Sequence, residues 1–502
     1  MRARLLRRLV RLQAAASTRR GSKTLNLDDQ LRSRLRGAPV RGLVFASLLL
    51  LAACISAPRP DLARLYRVGT GSDDVTPVIV IPGLFGSTLR DRATGAEVWP
   101  GGASELLFGD YRALALKFDP QTLAVAPDSL EAAGLAEQVL GQDFYRPLIK
   151  TLEEFGGYVR GTPGVPVRGR ERRYYVFPYD WRQDNVLHAA ALDRLIEEIR
   201  RDYGDPKLRV DLIAHSMGGL IARYYLRYGP TDVLDSETFK PVALYGASRV
   251  RKLIQLGTPN MGSVGSVHAF LTGEPIGFKR IAPEVLATLP SGYQLFPHPL
   301  VTWAVDINGN ALDLNLYESA TWSRHGWSVF DPKIAARIPA APAVQGNAHI
   351  TALHRYFDYR LERGRRFMWF LSTPEPAAPV RYVLFGGDCT LTPARLLLEE
   401  VAGRYEVRQT PAEIRAPVAG VRYDEIMLEP GDGRVTKPSL LARESLDPMS
   451  PQSEDVFLPI AYWFFLCERH DQLTNNVNFQ DNLLNVLLTR NLPWEMTADA
   501  PK

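Results

Sequence analysis

Three side chains of types suited to acyl transfer occur far apart in the 502-residue chain: Ser216, Asp432 and His470. A serine hydroxyl is a weak nucleophile at neutral pH and needs a base to remove its proton. An imidazole can be that base when a carboxylate fixes its tautomer and stabilises the imidazolium. The sequence therefore offers a nucleophile, an acid and a base. No Cys/His spacing typical of a metal site accompanies them, and no cofactor is required.

Ser216 lies in the segment Leu208–Arg223, LRVDLIAHSMGGLIAR, which predicts a strand, a sharp turn and a helix. The pentapeptide is A-H-S-M-G, so Ala214 replaces the usual first glycine of G-x-S-x-G. Such a nucleophile elbow exposes the serine, and the backbone N–H of Met217 can then hold an oxyanion. Two glycines would let the helix pack close to the strand. We expect the neighbouring His215 to point away. The alternative is an ordinary strand-to-helix turn that holds a serine.

The order of residues in α/β-hydrolases is serine, acid, histidine, and this order selects His470 as the base. The alternative for His470 is a histidine in a surface loop. Two aspartates at predicted strand ends can supply the acid. Asp432 lies between two glycines and is favoured, but Asp388 also follows two glycines and stays a candidate. Asp180 precedes the serine and is out of order.

The elements that must position these residues alternate between strands and helices, which predicts a doubly wound, mostly parallel α/β sheet. Ligands in such sheets bind at the carboxyl ends of the strands. The first strand ends at Pro82-Gly83, and the amide of the following Leu84 is the second candidate oxyanion donor. The predicted strands are 78–81, 174–178, 208–214, 250–256, 380–385 and 422–429, with a buried-type run at 456–466 and helices at 144–158, 187–203 and 478–488.

Two stretches depart from this alternation of strands and helices. Residues 90–145 are irregular and are interpreted as an insertion near the mouth of the site. Residues 263–379 are interpreted as a cap or lid between two parts of the hydrolase core, 76–262 and 380–492. This cap is rich in aromatic residues, which we expect to form its own core. The alternative is that some of them line an acyl channel or dock on a membrane.

The charge of the chain is concentrated at its beginning. The formal net charge is +5, yet residues 1–43 carry a net charge of +10, so the remainder is acidic and gives no signal for nucleic acid. Residues 43–53 are uncharged and apolar, and Leu51-Ala52-Ala53-Cys54 resembles a bacterial lipobox. We therefore expect a signal peptide over 1–53 with an unusually long basic region, lipidation of Cys54, and a tether over 54–75. A non-cleaved membrane anchor is the alternative.

Either interpretation places the catalytic part outside the cytoplasm, in the cell envelope. A lipid anchor would hold it at a membrane surface, which is the outer membrane if the source is Gram-negative, because Ile55 and not aspartate follows Cys54. Cys389 and Cys467 could pair in an oxidising compartment, although sequence cannot show that they are close.

Short motifs along residues 76–490 resemble the lecithin:cholesterol acyltransferase family, which includes group XV-type lysosomal phospholipase A2. They are IPGLFGSTL, FPYDWR, LIAHSMGG, LGTPNMGS and PGDGRV, followed by the late His470. The resemblance implies an α/β-hydrolase fold with a cap and a lid, and a Ser216-Asp432-His470 triad that acts through an acyl-enzyme.

By the same motifs, the amides of Leu84 and Met217 would form the oxyanion hole, and Phe85 and Trp181 would contact the substrate. Arg434 stands where the family usually has threonine, the family's N-terminal disulfide has no cysteine pair here, and the cap is long. The expected function is a lipid acyl hydrolase or O-acyltransferase. The alternatives are an envelope esterase or deacylase for other esters, and a catalytically silent lipid-binding lipoprotein.

Overall fold

A seven-stranded parallel sheet forms the centre of the protein. The computed structural model describes residues 59–66, 75–102, 109, 111–139, 142–236, 238, 240–338, 347–376, 380–447, 449 and 452–489. The strands are β1 (Val78–Ile81), β2 (Val159–Arg160), β3 (Arg173–Val176), β4 (Val210–His215), β5 (Val250–Leu256), β6 (Arg381–Gly387) and β7 (Ile460–Leu466). Their spatial order is β7-β6-β5-β4-β1-β3-β2, and every neighbouring pair is parallel. This arrangement confirms the predicted α/β-hydrolase fold.

Alternate residues of each inner strand enter two different hydrophobic clusters, so the sheet is buried on both faces. In β1, Ile79 and Ile81 join one cluster while Val78 and Val80 join the other. The first face is covered by α1 (Asn185–Tyr203), α2 (Met217–Tyr228) and part of α3 (Asn347–Ser372), and the second by α4 (Val477–Leu488). The sheet edge that carries the site is therefore set in a rigid three-layer core.

Shorter helices connect these layers. The α-helical ones are Leu62–Leu65, Arg146–Lys150, Val264–Thr272, Pro283–Leu286, Pro290–Tyr293, Ser319–His325, Pro332–Ala335, Tyr423–Met427 and Lys437–Leu440. A π-helical turn covers Thr151–Phe155, and 3₁₀ turns cover Arg112–Leu114, Tyr245–Ser248, Ser328–Phe330, Pro411–Glu413 and His470–Asn475. The predicted helix over 144–158 is thus shorter than expected, since it changes to a π turn and ends at Phe155.

Between β5 and β6, the described residues of the segment 263–379 form a mostly helical insertion that packs on the first face of the sheet. Its tryptophans Trp303, Trp322 and Trp327 are buried in the same cluster as Ile79 and Leu212 of the sheet. The insertion also contributes the hairpin Glu274–Ile276/Lys279–Ile281 and the short strand Ala304–Val305. These three tryptophans therefore belong to a core that the insertion shares with the sheet.

A second insertion, which the sequence did not separate from the core, lies between β6 and β7. It contains the strands Thr390–Pro393, Leu396–Val401, Arg404–Arg408 and Leu428–Gly431. Ala304–Val305 pairs in parallel with Leu396–Leu397, so the two insertions share a small sheet. The predicted strand over 422–429 is wrong for most of its length, because Tyr423–Met427 is helical with two acidic residues in its first turn.

The segment 90–145, expected to be irregular, carries most of a small antiparallel sheet formed by Ser87–Asp91, Glu97–Trp99 and Leu130–Leu135, together with the two-residue strands Gln138–Val139 and Gln142–Asp143. The six residues of Leu130–Leu135 do not alternate between polar and apolar, and three of the other strands have only two or three residues, so the segment carries little period-two pattern to predict them.

A disulfide joins Cys389 and Cys467, whose Cα atoms are 4.8 Å apart. Cys389 follows the end of β6, and Cys467 follows the end of β7 directly. The predicted signal peptide, Cys54 and residues 55–58 and 67–74 of the predicted tether lie outside the described residues, whereas Leu62–Leu65 within that tether is helical. Within the described ranges, no helix is both long and apolar enough to cross a membrane.

Candidate active site

Ser216 occupies a sharp turn between β4 and α2, with φ 52° and ψ −125°. Such a backbone conformation is costly for a residue with a side chain, and it is typical of functional sites. The turn is held by the amide of Ser216, which donates to the carbonyl of Leu256 over 2.7 Å. The strand thus has the predicted bounds within two residues, and the helix begins directly after the turn and continues beyond the predicted segment to Tyr228.

The two glycines after Met217 are required by close packing. A Cβ on Gly218 would lie 2.4 Å from the carbonyl oxygen of Pro82, and one on Gly219 would lie 2.0 Å from Oγ1 of Thr258. Helix α2 therefore packs against the backbone that follows β1. This contact places the start of α2, and with it the amide of Met217, next to the loop that carries Leu84.

The loop after β1 passes directly over Ser216, because a Cβ on Gly83 would lie 2.7 Å from Cβ of Ser216. Among the described residues, neither the amide of Leu84 nor that of Met217 donates a hydrogen bond to the protein. Two amides without protein acceptors beside a strained serine are the arrangement that a developing oxyanion needs.

Aromatic residues pack against the loop that follows β1 and hold it in place. Phe85, at φ 64°, packs its ring 5.1 Å from the ring of Trp99 and 4.7 Å from that of Trp181. Trp99 Nε1 donates to the carbonyl of Phe85 over 2.9 Å, and Tyr179 Oη donates to that of Pro82 over 2.8 Å. Trp181 is fully buried. The structure therefore places Trp181 beneath the loop, where it supports Phe85, while Phe85 keeps partial exposure.

The structure brings Asp432 and His470 together. Nδ1 of His470 lies 2.8 Å from Oδ2 of Asp432, and the backbone amide of His470 donates to the carbonyl of Asp432 over 2.9 Å. The other carboxylate oxygen, Oδ1, accepts the amides of Arg434 and Val435 over 2.9 and 2.7 Å. Every acceptor of this buried carboxylate therefore has a donor, which fixes its orientation.

These contacts also set the charge of Asp432. Burial by itself raises the pKa of the carboxyl group, but His470 and the amides of Val435 and Arg434 outweigh it and lower the pKa below the ordinary value. Asp432 is accordingly an anion at neutral pH, as an imidazole-orienting acid must be. Asp388 forms its ion pair with Lys437 instead, over 2.8 Å. Among the described residues, the carboxylate that orients the ring of His470 is therefore that of Asp432 and not that of Asp388.

Gly257, which follows β5 in the LGTPN motif, provides the space for this pair. At φ 55°, a Cβ on Gly257 would lie 2.9 Å from both Oδ2 of Asp432 and Nδ1 of His470. Gly257 also directly follows Leu256, whose carbonyl holds the amide of Ser216. The ends of β4 and β5 therefore place the nucleophile turn and the acid–base pair next to each other.

The prediction that His215 points away from the site is wrong. Its imidazole packs against that of His470, with ring centroids 4.8 Å apart, and contacts Tyr145. No pattern in the sequence singles out Tyr145, and His215 was set aside because side chains of adjacent residues usually diverge. Arg434, which stands where the lecithin:cholesterol acyltransferase family usually has threonine, forms an ion pair with Glu274 of the insertion 263–379 over 2.7 Å.

Comparison with known proteins finds a family model that matches part of the chain. Residues 142–317 match the family model described as lecithin:cholesterol acyltransferase (LCAT). The chain is similar to the LCAT family over about a third of its length. The matched range contains Ser216 but ends before Asp432 and His470, so the geometry described above carries the case for these two residues.

Among curated proteins, lysosomal phospholipase A and acyltransferase from Bos taurus is 27% identical over 187 residues, which is 34% of this chain and 40% of that protein. The Homo sapiens protein of the same name is 25% identical over 213 residues, covering 40% of this chain and 45% of the relative. The chain thus matches less than half the length of these relatives.

Among solved structures, the Tle4-Tli4 complex contains a chain that is 16% identical, with a TM-score of 0.52; the match covers 85% of this chain and 99% of that one. At this identity the likeness concerns the fold. Within the part of the chain that the structure describes, no group of three or more His, Cys, Asp or Glu residues could hold a metal ion.

Proposed function

We propose that the protein is a serine lipid acyl hydrolase or O-acyltransferase in which Ser216, His470 and Asp432 form the catalytic triad. The observation that carries the proposal is the pair formed by His470 and the buried, fully hydrogen-bonded Asp432, adjacent to a serine on a strained turn. A surface-loop histidine would not need a buried anion at 2.8 Å.

The proposed reaction has two halves. His470 Nε2 removes the proton from Ser216 Oγ, which attacks the carbonyl carbon of an acyl ester and forms a tetrahedral oxyanion. The ester C–O bond then breaks, and His470 returns the proton to the leaving alcohol, which gives an acyl-enzyme. In the second half, water or an alcohol loses a proton to His470 and attacks the carbonyl carbon of the acyl-enzyme. The bond between Ser216 Oγ and that carbon then breaks, His470 returns the proton to Oγ, and a fatty acid or a new ester leaves. Asp432 stays ionised throughout and stabilises the imidazolium.

The amides of Leu84 and Met217 would stabilise the oxyanion in both halves. Removing one such donor typically costs about 2.7–4 kcal/mol of transition-state stabilisation. The amide of Leu84 is carried by the loop after β1, so the contribution of this oxyanion hole depends on the position of that loop. Backbone amides cannot be removed by ordinary substitution.

Lipid esters are the proposed substrates because the family description and the curated relatives name a lecithin acyltransferase and a phospholipase A. We also propose that Cys54 is lipidated and holds the protein at an extracytoplasmic membrane surface, which would be the outer membrane of a Gram-negative cell. The Cys389–Cys467 disulfide supports an oxidising compartment.

The test uses the full chain, which is purified after the membrane fraction has been solubilised. Ser216→Ala should abolish hydrolysis of a short-chain ester, while Ser323→Ala, at an exposed serine of the first insertion, should leave it unchanged. Equal activity in the wild type and Ser216→Ala would remove the proposal, and inactivity of both would favour a lipid-binding lipoprotein.

A second experiment defines the substrate and the acceptor. Vesicles of labelled phospholipid are incubated with the protein, with and without an added long-chain alcohol, and the products are identified by mass spectrometry. Free fatty acid alone indicates hydrolysis, and an acylated alcohol indicates transfer. Turnover of short esters without any release from phospholipid would favour an esterase or deacylase for other envelope esters.

A further inference from the structure

A chain of hydrogen bonds joins the loop after β1 to the backbone of His470. The amide of Gly83 donates to Oη of Tyr145 over 2.9 Å, and Oη of Tyr145 lies 2.8 Å from Nδ1 of His215. On the other side of the ring, Nε2 of His215 lies 3.3 Å from the carbonyl oxygen of His470. The chain therefore passes from the candidate oxyanion loop to the candidate base through the residue that precedes Ser216.

The partners fix where the protons are. A carbonyl oxygen can only accept, so Nε2 of His215 must carry a proton and donate it to His470. Oη of Tyr145 already accepts from Gly83, and it satisfies Nδ1 of His215 by donating its own proton. Burial raises the pKa of the Tyr145 hydroxyl, so this group remains a donor. Each link of the chain thus has one donor and one acceptor.

The neutral state of His215 matters for the chemistry beside it. Burial, and next the nearby His470, lower the pKa of His215 to about 3. His215 therefore adds no positive charge beside His470, whose ring centroid is 4.8 Å away and which becomes an imidazolium in the proposed reaction. A protonated neighbour at that distance would oppose the formation of this cation.

The side chains that form these hydrogen bonds also pack tightly against each other and against Gly83. Tyr145 is buried and its ring meets that of His215 edge to face, with centroids 5.6 Å apart. A Cβ on Gly83 would lie 3.2 Å from Nδ1 of His215, in addition to its close approach to Ser216. A shift of the His215 ring would therefore move both the loop that carries Leu84 and the backbone of His470.

We propose that His215 and Tyr145 are positioning residues that hold the Leu84 amide and His470 at fixed places around Ser216. This inference rests on the proposed triad and deepens it. Both residues act through other groups, namely the amide of Gly83 and the ring and backbone of His470, so their loss should lower kcat and leave the KM for substrate nearly unchanged. Small displacements of catalytic groups are enough for large losses of rate.

The first test compares Tyr145→Phe with Tyr174→Phe. Both substitutions remove one hydroxyl from a buried tyrosine of the same hydrophobic cluster, and Tyr174 donates to Glu153 over 2.7 Å, outside the site. We expect Tyr145→Phe to lower kcat about tenfold with KM within about twofold, and Tyr174→Phe to keep kcat within about twofold. Equal kcat values in the two variants would overturn the inference.

The second test separates the two links of His215. In His215→Gln the amide nitrogen reaches the position of Nε2 and can still donate to His470, whereas the shorter His215→Asn reaches only the position of Nδ1 beside Tyr145. Gln should therefore retain severalfold more kcat than Asn, and adding Tyr145→Phe to His215→Asn should cost less than Tyr145→Phe alone. Independent, multiplicative losses would contradict a connected chain.

Thermal unfolding of each variant shows whether a loss of rate reflects loss of the fold; if His215→Asn does not fold, the pair Tyr145→Phe and Tyr174→Phe still decides the question. Ser216→Ala is measured in parallel. If Ser216→Ala keeps the activity, the proposed function fails. If Ser216→Ala is inactive while the Tyr145 and Tyr174 variants behave alike, this inference alone fails.

Discussion

Substitution of Gly257 by alanine should disrupt the acid–base pair by steric means. The added Cβ would lie 2.9 Å from Oδ2 of Asp432 and from Nδ1 of His470, which themselves are 2.8 Å apart. Normal contacts of carbon with such atoms are about 3.5 Å, so one or both groups must move by about half an ångström or more. Because a displacement of about 1 Å can cost about 100-fold in rate, we expect kcat to fall between about tenfold and 100-fold.

The matched control is Gly204→Ala. Gly204 has φ 62°, close to the 55° of Gly257, but a Cβ at Gly204 would meet no atom within 4 Å. Both variants should lose about 1–2 kcal/mol of stability from the left-handed backbone, measured by denaturant unfolding. In an ester hydrolysis assay, only Gly257→Ala should lose kcat beyond twofold. Equal kcat in the two variants would refute the placement of His470 and Asp432 at the catalytic centre.

Three further outcomes follow from the same geometry. Asp432→Asn should lower kcat about 10⁴-fold because the imidazole loses its orienting anion, whereas Asp388→Asn, which breaks a partly exposed pair with Lys437, should keep kcat within about twofold. The pKa of Asp432 is lowered on folding, so the ionised carboxylate stabilises the fold above the ordinary aspartate pKa, and this stabilisation is lost as the pH falls through the lowered value. The difference in unfolding free energy between the wild type and Asp432→Asn should therefore shrink over that acidic range. Replacing both Cys389 and Cys467 by serine should lower the free energy of unfolding by about 4 kcal/mol, since the disulfide closes a loop of 78 residues, and an unchanged denaturant midpoint would contradict it.

The sequence predicts the nucleophile turn well because every part of it has a local signal. The apolar run of β4, the serine two residues from both Ala214 and Gly218, and the helical pattern of α2 lie within 20 residues of each other. Other buried strands of the sheet are predicted for a similar reason, since β1 and β5 are short apolar runs that are followed directly by a proline or a glycine.

Features that depend on long-range contacts could not be predicted in this way. Tyr423–Met427 was expected to be extended, but tertiary contacts such as the bond from Tyr423 Oη to the carbonyl of Ile307 accompany a helix. The orientation of His215 depends on Tyr145, which lies 70 residues away, and on His470, which lies 255 residues away. The choice between Asp388 and Asp432 likewise needed the positions of Lys437 and His470.

The most direct test of the central claim is the mass of the protein after reaction with a fluorophosphonate, followed by peptide mapping. The proposed triad predicts one adduct per chain, located on Ser216 and absent from Ser216→Ala, and a rate of labelling that falls sharply in Asp432→Asn but not in Asp388→Asn. An unlabelled protein, or an adduct on any other residue, would contradict the assignment of Ser216 as the nucleophile.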